Sequence, residues 1–375
     1  MAILPAMNGL DGENSKAVAA SGLEGVEVAQ TALSLVDGER GELIIAGHEV
    51  EDLAVGSSFE DVCALLWDGR LPDVDSSGRL GSSLGSARVQ AFNEIPRLVS
   101  AFDTSDAMDA VRAAVAQLRV KQGERDGMVL VTAAMAVFAA AWARIRAGLP
   151  PLVPDPCSSH AADYLRMATG SREHARALEV YLVTVAEHGM NASTFAARVV
   201  ASTGSDLVSA ILAALGALKG PLHGGAPGLV LDMLDSVGEP ERAAAWLDAE
   251  LRAGRRIMGM GHRVYRVRDP RAAVLEKALE RAGVAHSRLR LARAVEKAAA
   301  EQLAQRHPDR PLRANVEFYT AVLLEAIGLP RDVFTATFAV GRVAGWCAHV
   351  VEQRRVGRLI RPSARYVGPM PVRLP

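Results

Sequence analysis

The sequence predicts an all-α fold built as two helical domains, with one small β-hairpin near the N-terminus. Half of the 375 residues are hydrophobic yet only 5% are aromatic. Alanine, leucine and valine therefore fill the core, a composition that favours helices over a β-sandwich. Beyond residue 50 apolar residues recur at helical spacing in nearly every segment. Strand-like patterning is confined to Thr31 to Leu35 and Leu43 to Ile45, on either side of the turn signal Asp37-Gly38.

The elements follow in order. Residues 1–21 carry Asp11 and Glu13 and no basic-then-apolar leader pattern, so they read as a flexible tail. Phe59 to Trp67 has one apolar helix face, closed by Gly69 and Pro72. Asp75 to Ser86 is rich in Gly and Ser and is expected to be an exposed loop. Ala107, Val111, Ala114, Val115 and Leu118 form a helical stripe with Ser105 or Asp106 as its N-cap. Met128 to Ala143 is apolar apart from Thr132, rather short for a membrane span, and predicts a buried helix. Prolines at 150, 151, 154 and 156 break the chain before a helix over His174 to His188, and Asp206 to Leu218 forms another.

Glu239 to Arg252, Asp269 to Arg281 and Ser287 to Arg306 read as amphipathic helices rich in Arg and Glu. This more charged stretch, 225–328, predicts a small domain inserted in a large one made of 22–224 and 329–375. Phe334 to Gln353 returns to a buried pattern in which Gly341 and Gly345 permit close packing. The arginine-rich tail from Arg354 reads as a solvated face ending in a proline-containing extension.

A net charge of −1 argues against general nucleic-acid binding. Cys63, Cys157 and Cys347 lie far apart, which indicates neither a disulfide framework nor a zinc knuckle. A soluble cytoplasmic protein that enters no membrane is expected.

The residues that point to chemistry begin with two histidine loops, Gly220-Pro221-Leu222-His223-Gly224-Gly225 and Met258-Gly259-Met260-Gly261-His262-Arg263, followed by Asp269-Pro270-Arg271. Glycines let backbone approach a ligand, unpaired N–H groups at helix ends suit anions, and histidine moves protons near neutral pH. Either loop alone also fits a capped helix beside a surface loop.

Further stretches are Glu187 to Phe195, Asn315-Val316-Glu317-Phe318-Tyr319, Gly341 to Trp346 and Arg361-Pro362-Ser363-Ala364-Arg365-Tyr366. In this order and spacing the chain resembles the citrate synthase family from about Gly22 to Pro369, especially a second actinobacterial subgroup. The resemblance implies that family's two-domain helical fold, and an enzyme that condenses acetyl-CoA with oxaloacetate and hydrolyses citryl-CoA. Such chemistry needs a carboxylate to take a proton from a thioester methyl, donors for two carbonyl oxygens, and guanidinium groups for two carboxylates.

By resemblance, His223 supports the thioester oxygen, His262 polarises and protonates the ketone, and Glu317 is the base. His188, Arg271 and Arg342 match oxaloacetate ligands. Arg361 matches an arginine that reaches the partner's site, implying a homodimer. The Met258, Gly259, Met260 and Gly261 backbone and Arg266 fall where the family holds CoA. No permanently bound cofactor and no metal are implied, with CoA a co-substrate.

The sequence departs from most family members by having glutamate rather than aspartate at 317. The extra methylene shifts the carboxylate by up to roughly 1.5 Å, while Asp and Glu acidities differ by only about 0.4 unit. Geometry therefore decides whether Glu317 serves. The rivals are a 2-methylcitrate synthase using propionyl-CoA, a non-catalytic binder of oxaloacetate or CoA, and a metalloprotein built on His188, His223 and His262, whose spacing fits no zinc motif.

Overall fold

In the computed structural model, the described residues are 22–371 apart from 24, 74–77, 121–122, 225, 285 and 309–311. The tail expected over 1–21 lies outside them. Ser34–Asp37 (β1) and Glu42–Ile45 (β2) pair antiparallel, with Ser34 opposite Ile45 and Asp37 opposite Glu42. His48–Glu49 (β3) adds a third strand to the expected hairpin. Leu43 and Ile45 turn into the core. Asp37 Oδ1 accepts the N–H groups of Glu39 and Arg40 at 3.0 and 2.9 Å, which fixes the turn.

Helices make up nearly all the rest. Phe59–Asp68 opens with a capping box between Ser58 and Asp61 and closes on Gly69 in the left-handed conformation. Asp106, not Ser105, caps Ala107–Val115. Glu124–Arg146 is long and apolar enough to cross a bilayer, but its apolar window is 89% buried among neighbouring helices. The expected helix over Glu239 to Arg252 is a short 3-10 turn, Pro240–Arg242, followed by Ala243–Arg252.

One expectation is overturned. The Gly- and Ser-rich stretch expected to be a loop is largely helix, Arg79–Phe92, and packs on Glu124–Arg146. Its glycine at 85 lets the backbone at Pro156 approach so closely that a Cβ there would collide with the Pro156 carbonyl. Arg88, fully buried, pairs with buried Asp163 at 2.8 Å and donates to the carbonyls of Asp155 and Ser158. Tertiary partners thus outweigh a weak local helix propensity.

Phe334–Val356 runs through the core against Ala175–Val185, Ala192–Ser202 and Leu207–Leu218. Gly341 and Gly345 permit the close packing expected of them: a Cβ at 345 would collide with the Ala186 carbonyl, and one at 341 would sit 2.5 Å from Val185 Cγ2. Gly345→Ala is therefore expected to destabilise the fold by about 1–3 kcal/mol, the range for overpacking. A lowered urea midpoint at unchanged slope would register it.

Candidate active site

The glycine loop around His262 is held by the segment before Val316–Ala326. Met260 forms an antiparallel bridge with Ala314. Gly261 donates to the Arg313 carbonyl at 2.7 Å, and Asn315 N–H donates to the Gly259 carbonyl at 2.9 Å. Asn315 Nδ2 reaches the Gly261 carbonyl at 2.9 Å, while its Oδ1 caps the helix on Glu317 N–H at 3.0 Å. Gly259 has φ +73°, and a Cβ there would press to 2.9 Å against Phe318, so only glycine lets this loop lie on the helix start. The asparagine thereby ties His262 to Glu317.

His262 lies within this loop and not at a helix edge. Its Nδ1 accepts the N–H groups of Val264 and Tyr265 at 3.0 and 3.2 Å. The neutral ring must then carry its proton on Nε2, ready to donate. Burial, with Arg271 adding to it, pushes its pKa down to about 4. His188 sits in the turn after Ala175–Val185, with its ring 5.4 Å from that of His262 and its Nε2 3.1 Å from the Tyr265 hydroxyl. Burial, then Arg271 and Arg342, hold its pKa well below the usual histidine range.

Asp269 caps Pro270–Ala282 and fixes Arg271, whose Nε and Nη2 donate to its carboxylate at 3.0 and 2.7 Å. The same carboxylate accepts Val316 N–H at 3.1 Å, so one buried aspartate aligns the arginine and the Glu317 helix. Arg342, 1% exposed, donates from Nε to the Val185 carbonyl and lies over the Phe338 ring, with its Nη2 sealed and unpartnered. Burial lowers its pKa to about 10. A buried guanidinium with a spare nitrogen is costly unless an anion completes it.

Glu317 keeps some exposure as a residue, but its Oε2 is sealed and has no hydrogen-bond partner. Burial lifts its pKa to about 7, against the opposing pull of Arg271 and Arg342. Such a carboxyl is matched to proton transfer at neutral pH. His223 lies in the turn after Leu207–Leu218, with Nε2 2.9 Å from Ser193 Oγ. That oxygen also lies 2.8 Å from Asn191 Oδ1 and accepts Trp346 Nε1–H at 3.2 Å. The serine gives its one proton to the Asn191 amide oxygen, so its own oxygen accepts His223 Nε2–H and the neutral ring keeps Nδ1 bare. A turn of the hydroxyl toward Nε2 would move the ring proton to Nδ1. Burial, then Arg342 and Arg263, depress the pKa of His223 to about 4.

The fold therefore gathers His188, His262, Arg271, Arg342 and Glu317, with His223 placed beside them through Ser193. It does not bring Arg361 there: that side chain is exposed in the extended segment after Phe334–Val356. Arg266 is also exposed, and the Gly259 and Gly261 backbone is engaged with 313–315 and not free to meet a ligand throughout. Among the described residues no three His, Cys, Asp or Glu side chains converge as metal ligands.

Five supporting residues escape sequence reasoning. Tyr265 lies inside the motif with nothing in its pattern to distinguish it, whereas the Asp269-Pro270 pair is an N-cap signal that could have found Asp269. Buried Glu187 accepts from Ser34, Gly189 and His349 at 2.9, 2.7 and 3.0 Å. Burial raises its pKa, but His349 and Arg342 outweigh that and leave it lowered, hence ionised. Ser193 with Trp346 completes the set.

The family described as citrate synthase, C-terminal domain, matches residues 22–363. A Mycobacterium tuberculosis protein with the provisional name citrate synthase 2 is 41% identical, covering 93% of each chain. The Haloferax volcanii citrate synthase is 37% identical over 92% of this chain and 95% of its own. A 2-methylcitrate synthase of M. tuberculosis is also 37% identical, over 92% and 90%. Among solved structures, the Thermotoga maritima citrate synthase aligns with TM-score 0.84 at 35% identity, covering 94% of this chain and 97% of that one. The Thermoplasma acidophilum citrate synthase, in ternary complex with carboxymethyl coenzyme A and oxaloacetate, aligns with TM-score 0.83 at 30% identity over the same shares. The chain with this site matches these proteins nearly end to end, and it belongs to the citrate synthase family.

Proposed function

We propose that the protein is a citrate synthase in which Glu317 is the catalytic base. The observation that carries the reading is the sealed, unpartnered Oε2 of Glu317, with a pKa of about 7, placed by Asn315 and Asp269 beside Arg271 and Arg342.

Oxaloacetate would place its carboxylates against Arg271, the spare Nη2 of Arg342, and His188. Its ketone oxygen would face the Nε2–H of His262. Glu317 takes a proton from the methyl group of acetyl-CoA, and His223, with the Ser193 hydroxyl turned to donate to its Nε2, would offer Nδ1–H to the charge growing on the thioester oxygen. The enol carbon then bonds to the ketone carbon while that oxygen receives the His262 proton. Water finally cleaves citryl-CoA to citrate and CoA.

Three extensions belong to the same reading. Residues 258–261 and Arg266 meet CoA, Arg361 crosses to the site of a partner subunit in a homodimer, and residues 225–328 close over bound oxaloacetate to exclude water. The protein would work in the cytoplasm. These rest on the family resemblance, and for Arg361 also on its position away from its own chain's site.

The test is release of CoA thiol in the presence of oxaloacetate, with acetyl-CoA compared against propionyl-CoA. Faster release from acetyl-CoA is expected. A preference for propionyl-CoA would move the assignment to 2-methylcitrate formation, which the relative of that name makes a specific rival. One methylene in an apolar pocket is worth only about 1–3 kcal/mol, so some turnover of both is expected. Oxaloacetate binding without thiol release from either would leave a binding protein and overturn the enzyme reading.

A further inference from the structure

The N-terminal hairpin touches both halves of the site. On one side, Ser34 in β1 donates its hydroxyl to Glu187 Oε1 at 2.9 Å and accepts Gly189 N–H at 3.0 Å. Val36 lies so close to Gly189 that a Cβ there would be 3.1 Å from Val36 Cγ2. These contacts grip the turn that carries His188. On the other side, the Gly38 carbonyl accepts Arg266 N–H at 2.8 Å. A Cβ at Gly38 would collide with the Val264 carbonyl, and one at Gly41 would come within 2.5 Å of Val267 Cγ2. These contacts grip the loop whose Val264 and Tyr265 amides orient His262.

We propose that the hairpin is a clasp: its β1 strand and its 38–41 turn hold the His188 turn and the His262 loop at a fixed spacing, so that Ser34 and Gly38 are positioning residues for oxaloacetate. The proposal rests on the assignment of His188 and His262 to oxaloacetate made above. Its physical basis is that the two histidines come from chain segments distant in sequence. Their rings, 5.4 Å apart, are bridged within the site by Tyr265, while the hairpin binds the backbones of both segments from outside. Two ligands of one small dianion must be held to within a fraction of an ångström to act together. A strap bonded to both supplies that constraint without touching the substrate.

Gly38→Ala is the direct test. Gly38 does not occupy the left-handed region, so alanine is unstrained in its own turn and the added methyl acts through the contact with Val264. The expected result is an oxaloacetate dissociation constant, read by calorimetry, raised by roughly tenfold, a loss of about 1.4 kcal/mol of binding. Hydrogen exchange at the amides of 264–268 should accelerate in parallel. Ser34→Ala, which frees the other end, should weaken binding severalfold and serves if Gly38→Ala does not fold. Glu39→Ala, an exposed neighbour on the same turn, should leave both readouts at wild-type values.

Wild-type affinity in folded Gly38→Ala, or in Ser34→Ala if the former fails to fold, overturns the clasp. So would unchanged exchange over 264–268 in Gly38→Ala. Absence of oxaloacetate binding by the wild-type protein is a different failure: it removes the functional assignment, while the exchange comparison still decides whether the hairpin holds the loop.

Discussion

Replacing Glu317 by glutamine is expected to lower the rate of CoA release by about 10²–10⁴-fold, the usual contribution of a positioned base, with oxaloacetate binding largely retained. Glutamine keeps the shape and loses the basicity, so the two measurements separate chemistry from binding. Glu317→Asp is the sharper variant. Aspartate withdraws the carboxylate by roughly one C–C bond, about 1.5 Å, and misplacement of about 1 Å can cost a hundredfold. A large loss in Glu317→Asp would show that the Asn315 cap and the Asp269 contact place this backbone for the longer side chain. Full activity would show that the site adjusts to either.

The pH dependence follows from the same group. The rate needs ionised Glu317, so kcat/KM should rise with pH and level off above about 7. His223 and His262 lose their protons near 4, so they should not shape that limb. Stability runs the opposite way. Burial raises the folded-state pKa above the unfolded value, so the folded protein holds this proton more tightly. The contribution is favourable at low pH and is lost as pH rises through about 7. Glu317→Gln should therefore raise the thermal midpoint at about pH 8 and leave it unchanged near pH 4, which a pair of melting curves would read.

Arg342→Met is expected to remove oxaloacetate binding and to cost some stability as well. The guanidinium is 1% exposed, with one nitrogen sealed and unpartnered. A charged hydrogen bond is worth about 1.5–3 kcal/mol. Losing two of them to a substrate carboxylate should weaken oxaloacetate binding by roughly two orders of magnitude or more. Methionine fills similar volume without a buried charge, but it also removes a cation that helps keep buried Glu187 ionised, and taking one charge from such a group costs stability. The expected pair of results is therefore a lost calorimetric signal for oxaloacetate beside a lowered melting temperature, in a variant that still folds. A folded variant that binds oxaloacetate normally would remove Arg342 from the binding site.

By itself the sequence determined the helical class, the hairpin and most helix positions, and named the candidate residues for the chemistry. The reason is local: apolar periodicity, caps such as Asp106 and Asp206, and glycine stops are written within a few residues of where they act. The tertiary structure alone decided the rest. It made Arg79–Phe92 a helix through a buried partner for Arg88 far along the chain. It brought Asp269 onto the Val316 amide, Asn315 onto the Gly261 carbonyl and Ser193 against His223, and set the hairpin against both histidine segments. It also raised the pKa of Glu317, because the cost of a buried charge depends on what surrounds it in space and leaves no trace in the spacing of residues along the chain.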